Sequence, residues 1–362
     1  MQVIPVNAVF EGGGVKGISL AGAVRAAEMC GIRFNRLAGT SSGSIVAAMI
    51  ATGYSGAEMK QIIESTPFSS FLKRAAIFNT KIIGPAVRLF LRKGLYSADG
   101  LEQWVSELLA ARGVRVFGDL PPGKLRIIAS DITNGKLLVL PQDVAAYGLD
   151  PNRFPVARAV RMSCSIPYFF DPVVLREPLR FKIHRSKGAL KAAKISYVVD
   201  GGLLSNFPLW LFENDVLSGS PIPVIGFQMV GRSEAQPHRI SGPFTMLQAM
   251  FDTMMSAHDE RYIERQNRIR TIKIPTLGVS TTQFNVSPEM SEKLYQSGLS
   301  AGQKFFNCWN PRSGMLNISI KSQPQKKRVT GSSAYAGHAF SMLIFSGTAA
   351  VHLLCSCAPR SR

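Results

Sequence analysis

The chain has 362 residues, enough to bury the core of one large α/β domain or two smaller ones, and its 46% hydrophobic and 18% charged content excludes a disordered polymer. A formal charge of +19 draws the surface toward polyanions, either nucleic acid or the anionic face of a membrane, without choosing between them. Five scattered cysteines (Cys30, Cys164, Cys308, Cys355 and Cys357) show neither zinc spacing nor a disulfide framework. Residues 3–10 carry no Lys or Arg ahead of an apolar run, so a protein kept in the cytoplasm is expected.

Val6 to Phe10 reads as an apolar strand that runs into Glu11-Gly12-Gly13-Gly14-Val15-Lys16-Gly17, and the Ala- and Leu-rich stretch from Ile18 to Cys30 reads as a helix. Gly12, Gly14 and Gly17 satisfy the spacing of a dinucleotide loop, which calls for an acidic residue at the end of the next strand to hold a ribose. That strand, around Arg33 to Ala38, contains neither Asp nor Glu, and it ends instead in Gly39-Thr40-Ser41-Ser42-Gly43. Strand, sharp turn and small-residue helix are the setting of a G-x-S-x-G elbow, in which Gly39 and Gly43 remove clashing Cβ atoms and Ser41 projects its hydroxyl at a helix N-terminus. The free N–H groups and dipole of that helix end favour negative charge on an attacked carbonyl.

Ser55-Gly56-Ala57-Glu58 has capping-box spacing and opens a helix through about Ser65. No acidic residue occurs from Pro67 to Ala98, and Arg74, Lys81, Arg88 and Arg92 recur at intervals of seven, seven and four, on one helical stripe. The stripe is either a solvated helix face or a basic amphipathic cap that settles on anionic lipid beside the active site. A helix is predicted over Asp99 to Ala111, and a strand pair over Leu125 to Ala129 and Leu137 to Leu140, turning at Asn134-Gly135. Pro155 to Ser163 is a short helix pattern that ends in the apolar corner Ser165 to Phe170.

A second acid-free basic stretch, with Arg180, Lys182, Arg185, Lys187, Lys191 and Lys194, precedes a strand over Ile195 to Val199 that ends in Asp200-Gly201-Gly202. A carboxylate at the end of a strand, with glycines that admit other backbone, is placed where ligands meet open α/β sheets. Asp131 also closes a strand but lacks the glycine pair, so it ranks below Asp200 as a base. Strands at Pro223 to Met229 and Thr271 to Ile274 alternate with helices at Phe244 to Arg268 and Pro288 to Phe306, as in a mostly parallel α/β sheet. After residue 320 the tail is first basic, through Lys326-Lys327-Arg328. It then has no charged residue from Ala339 to Cys357, a stretch about as long as a bilayer is thick but diluted by Ser, Gly, Thr and His, so a weak membrane anchor and a poorly ordered tail both stay open.

Glycine loop, serine elbow and Asp-Gly-Gly, in this order, resemble the patatin-like phospholipase family, whose pattern is G-G-G-x-[RK]-G, G-x-S-x-G and D-G-[GA]. The similarity spans roughly residues 6–310 and includes Arg161-Met162-Ser163-Cys164-Ser165-Ile166-Pro167 and Asn206-Phe207-Pro208. It implies a three-layer α/β/α domain over residues 1–320, with 321–362 as a tail, and a serine acyl hydrolase working through a Ser-Asp dyad. Ser41 would be the nucleophile and Asp200 the proton acceptor. Backbone N–H groups of Gly12, Gly13 and Gly14, with that of Ser42, would hold the oxyanion. Lys16 occupies the family's Arg or Lys position and is not assigned to catalysis. No cofactor, metal or nucleic acid is expected. The expected partners are a phospholipid or other acyl ester and an anionic membrane surface. Two alternatives stay open: a Ser41, Asp200, His258 triad, and a catalytically silent or activator-dependent lipid-binding protein of the same fold.

Overall fold

The computed structural model describes residues 3–71, 88–89, 91–176, 195–213, 222–231, 240–242, 245–246, 249–250, 253, 269–279, 286–310 and 315–316. The tail after residue 320, the basic stretch at 180–194, Arg74, Lys81 and each of the five histidines, His258 included, lie outside these residues.

The strands are β1 (Ile4–Phe10), β2 (Ile32–Thr40), β3 (Gly94–Tyr96), β4 (Leu125–Asp131), β5 (Lys136–Leu140), β6 (Tyr168–Phe170), β7 (Val173–Arg176), β8 (Ile195–Asp200), β9 (Val224–Val230), β10 (Thr271–Pro275), β11 (Trp309–Asn310) and β12 (Met315–Leu316). The main sheet runs β10-β9-β1-β2-β4-β8-β7, with β5 beside β4. Its first five strands are parallel, whereas β5 and β8 are antiparallel to β4 and β7 is antiparallel to β8. The described α-helices are α1 (Gly17–Met29), α2 (Ser42–Ala51), α3 (Gly56–Ser65), α4 (Asp99–Ala110), α5 (Val156–Cys164) and α6 (Pro288–Cys308). This is an α/β fold with a mostly parallel, mixed central sheet flanked by helices.

Both sheet faces are covered, which is why the central strands read as continuous apolar runs. On β1, Ala8 and Phe10 join the larger core with Leu37 and Phe227. Val9, one position out of phase, points to the other face with Ala38 and Val224, where Phe207, Leu209 and Phe212 close over it. Helix α6 lies so close to α1 that a Cβ on Gly298 would stand 1.8 Å from the Ser19 carbonyl oxygen. The capping box at α3 forms as its spacing predicts: the Ser55 hydroxyl accepts the Glu58 N–H and the Glu58 carboxylate accepts the Ser55 N–H.

The basic stripe needs a correction at Arg88. Its side chain is 4% exposed, and its guanidinium makes a paired contact with the Asp171 carboxylate at 2.8 and 2.7 Å while also donating to the Gly94 carbonyl. Its charge is therefore spent inside the protein, joining Arg88 to Gly94 and to Asp171 in the turn after β6, where β3 and β6 pair. Arg92 is exposed and remains available to solvent. Removing one partner of a buried ion pair leaves the other uncompensated, so Arg88→Ala is expected to lower stability by about 3–5 kcal/mol. Arg92→Ala should stay within about 0.5 kcal/mol of wild type. Urea denaturation of the two variants beside wild type checks this.

Candidate active site

Strand register brings the two ends of the site together. Strand β2 pairs with the first half of β4 and stops with Thr40 opposite Ile128. Strand β8 comes from the opposite direction along the same edge of β4 and stops with Asp200 opposite Ala129. The C-termini of β2 and β8 thus meet head-on at neighbouring positions of one strand, and the residue after Thr40 is Ser41. An all-parallel sheet would not produce this meeting, because Asp200 reaches the site on a reversed strand.

At Ser41 the chain turns sharply into α2, with φ 51° and ψ −128°, a region that side-chain-bearing residues rarely enter and that costs on the order of 1–3 kcal/mol. The turn closes only because its neighbours lack side chains. A Cβ on Gly39 would lie 2.4 Å from the Gly43 carbonyl oxygen, and one on Gly43 would lie 2.3 Å from that of Phe10. The Ser41 N–H donates to Ser163 Oγ at 2.8 Å, and its carbonyl accepts from the Ser44 N–H at 2.8 Å and the Ser44 hydroxyl at 2.6 Å.

The Asp200 carboxylate is 1% exposed, accepts the Gly202 N–H at 2.8 Å and has the Ser41 side chain close enough to lower its pKa. Burial pushes its pKa up to about 7; the Gly202 hydrogen bond and the nearby Ser41 side chain pull the other way and do not cancel it. A carboxylate with that pKa is a competent proton acceptor near neutrality, which an ordinary Asp near 4 is not. Gly201 lets this strand end approach, since a Cβ there would stand 2.3 Å from the Ile128 carbonyl oxygen. Burial also raises the neighbouring Cys164 thiol, and the Asp200 charge adds to the effect.

Asp131, the lower-ranked carboxylate, is committed elsewhere. Burial would raise its pKa, but bonds from Asn134, Tyr147 and the Thr133 and Asn134 N–H groups outweigh burial and hold it below the usual carboxylate range. It ties down the β4–β5 turn.

Of the four expected oxyanion donors, two are engaged within the protein. The Gly12 N–H donates to the Asn206 carbonyl at 3.2 Å, and the Gly13 N–H donates to Ser42 Oγ at 3.0 Å. Gly12 cannot carry a side chain, because a Cβ would come within 2.3 Å of Asn206 Oδ1 and 3.0 Å of Ser41 Cβ. Gly14, with φ 59°, and Ser42, at the first position of α2, line the cleft that opens at Ser41, whereas Gly12 and Gly13 do not. Among N–H groups at the start of a helix, that of Ser42 has no carbonyl to meet within the helix.

The cleft measures about 670 Å³ counted out to its open mouth. Val15, Ile18, Ile45, Val46, Ile63 and Leu101 wall it together with Ser41. An aromatic cluster of Phe68, Phe71 and Trp104, with Trp104 5.7 Å from each of the other two ring centroids, lines it as well. These aromatics were not among the expected site residues, for they come from two elements far apart in sequence, the turn Phe68–Phe71 and α4, and carry no motif. Apolar walls beside a serine hydroxyl suit a hydrocarbon chain carrying one polar group. Among the described residues, no cluster of His, Cys, Asp and Glu is arranged to hold a metal ion, and no helix is long and apolar enough to cross a membrane.

A family model described as patatin-like phospholipase matches residues 8–212. YqhO, an uncharacterized protein of Bacillus subtilis (strain 168), is 43% identical over 305 residues, covering 84% of this chain and 99% of its own. Among solved structures, VipD from Legionella pneumophila is similar over 83% of this chain and 66% of its own, at 16% identity and a TM-score of 0.47. The type III effector ExoU of Pseudomonas aeruginosa is similar over 83% of this chain and 53% of its own, at 15% identity and a TM-score of 0.41.

Proposed function

Because this chain belongs to the patatin-like phospholipase family, we propose that it is a serine lipid acyl hydrolase that cleaves fatty-acyl esters of phospholipids through an acyl-enzyme on Ser41. The observation that carries the proposal is that Ser41, which lines an apolar cleft, and a buried Asp200 whose pKa is pushed up to about 7 stand at strand ends facing neighbouring positions of β4. Asp200 takes the Ser41 proton as Oγ bonds to the ester carbonyl carbon. The resulting oxyanion is held by the N–H groups of Gly14 and Ser42, each able to contribute on the order of a hundred- to a thousandfold in rate. Collapse breaks the ester C–O bond, and the alcohol leaves with the proton from Asp200. Water then attacks the acyl-enzyme, gives its proton to Asp200, and the fatty acid departs as Ser41 recovers its own.

The acyl chain would lie along Val15, Ile18 and Ile45 toward Trp104. The excess of positive charge supports an anionic lipid surface as the place of work. Exposed Arg92 and Leu91, 61% exposed, precede β3, which pairs with the strand carrying Tyr168, 44% exposed, and the cleft residue Phe170; together they offer a cation and apolar groups for such a surface.

A fluorophosphonate probe presented with anionic phospholipid vesicles is expected to label the protein once, on the tryptic peptide from Leu37 to Lys60, which contains Ser41. The same preparation should release free fatty acid from the vesicles. Absence of both would refute the hydrolase and favour a lipid-binding protein of the same fold.

A further inference from the structure

The segment that closes α5, Ser163-Cys164-Ser165, touches both members of the dyad by means other than the cleft. The Ser163 hydroxyl is fully buried and does two jobs: it accepts the Ser41 N–H at 2.8 Å and donates to the Ile128 carbonyl at 2.5 Å. Two residues on, the Ser165 carbonyl accepts the Asp200 N–H at 2.8 Å. The Ser165 hydroxyl in turn donates to the Arg161 carbonyl at 2.8 Å, which locks this last turn. The cleft lining takes in Cys164 and Ile166 but neither Ser163 nor Ser165.

We propose that the end of α5 is a gauge that fixes the distance between nucleophile and base, with Ser163 as its positioning residue; this rests on the acyl-hydrolase assignment above. The need for such a part follows from the seam in the sheet. At Ile128 the β4 edge passes from β2 to β8, so neither ladder continues across the point where Ser41 and Asp200 meet. The Ser41 N–H has left the β2 ladder by turning to positive φ and is buried. Only a group that both accepts and donates can bridge that N–H to the Ile128 carbonyl, and a hydroxyl does both where Ala does neither. One three-residue segment therefore holds the amide of the nucleophile through a side chain and the amide of the base through its backbone. It also gives Ser163 and Ser165, within the Arg161 to Pro167 run, a role that the catalytic steps themselves do not supply.

The test uses the full chain as wild type, Ser163→Ala and Ser163→Thr, with melting curves to select a temperature at which all are folded. In Ser163→Ala, kcat for ester hydrolysis and the rate of fluorophosphonate labelling are expected to fall together by about 10- to 100-fold, as for a sub-ångström to ångström misplacement of a reacting group. KM should stay within about twofold, because Ser163 does not line the cleft, and Thr, which keeps the hydroxyl, should restore most of the rate. Hydrogen exchange at the Ser41 amide should accelerate at least about tenfold in Ser163→Ala and not in Ser163→Thr. Wild-type kcat in folded Ser163→Ala, or unchanged Ser41 exchange, would overturn the gauge. A wild type that is neither labelled nor active would instead remove the hydrolase assignment, while the exchange comparison would still decide whether Ser163 holds the Ser41 amide.

Discussion

Ser41→Ala is expected to lower kcat for phospholipid hydrolysis by at least about four orders of magnitude and to abolish fluorophosphonate labelling, with vesicle binding unchanged. The size of the loss follows from what the serine supplies: the covalent step disappears, and what remains is the oxyanion donors and the binding of the chain. Ser42 is next to it in sequence and has the same hydroxyl, but that hydroxyl accepts the Gly13 N–H and lies off the strand end, so it is not positioned to substitute. Stability should rise or hold in this variant, since Ala at 41 keeps the strained φ of 51° but gives up a buried hydroxyl beside a carboxylate. The measurement is fatty-acid release and vesicle sedimentation on the same samples. Residual kcat within tenfold of wild type would move the nucleophile elsewhere.

The candidate site was legible in the sequence wherever backbone geometry forces a residue type at a fixed spacing. Gly39 and Gly43 around Ser41 could be read because only Cβ-free residues close that turn, and Gly201 because a Cβ there would stand 2.3 Å from the Ile128 carbonyl oxygen. Asp200 could be ranked above Asp131 for the same reason, and the structure places Asp131 among turn donors. What could not be read was direction and partnership. Nothing in Ile195–Asp200 says that the strand runs antiparallel to β4, since a short run rich in β-formers reads the same in either orientation. Periodicity put Arg88 on a basic stripe, but its partner Asp171 lies 83 positions away and periodicity is blind to it. The cleft aromatics Phe68 and Trp104 are drawn from separate elements, and Ser163 acts through a backbone N–H, so neither leaves a spacing to find.

Asp200→Asn is expected to lower kcat by about three to four orders of magnitude, because the amide keeps the Gly202 contact and the shape but cannot take the Ser41 proton. In the wild type, kcat/KM should rise with pH and reach half its plateau near 7, where burial places the carboxylate, in place of the limb near 4 that an ordinary Asp would give. A limb near 7 would also suit an imidazole base, so two further readouts separate Asp200 from His258. The midpoint of a carboxylate limb hardly moves with temperature, whereas that of an imidazole limb falls on warming. Stability gives the second. The folded-state pKa of Asp200 is raised above the unfolded value near 3.8, so the native state holds the proton more tightly than the unfolded chain does. Below about pH 4 both states are protonated and the group costs nothing, and as pH rises through 7 the native state must bear an ionised, desolvated carboxylate. Wild type therefore loses stability over that window while Asp200→Asn does not, and the variant's advantage should open from near zero at pH 4 to a few kcal/mol at pH 8, at about 1.4 kcal/mol per pKa unit. Melting curves of both proteins from pH 4 to 8 test it. A pH-independent gap, together with a kcat/KM limb lost in His258→Ala and kept in Asp200→Asn, would transfer the base to the histidine.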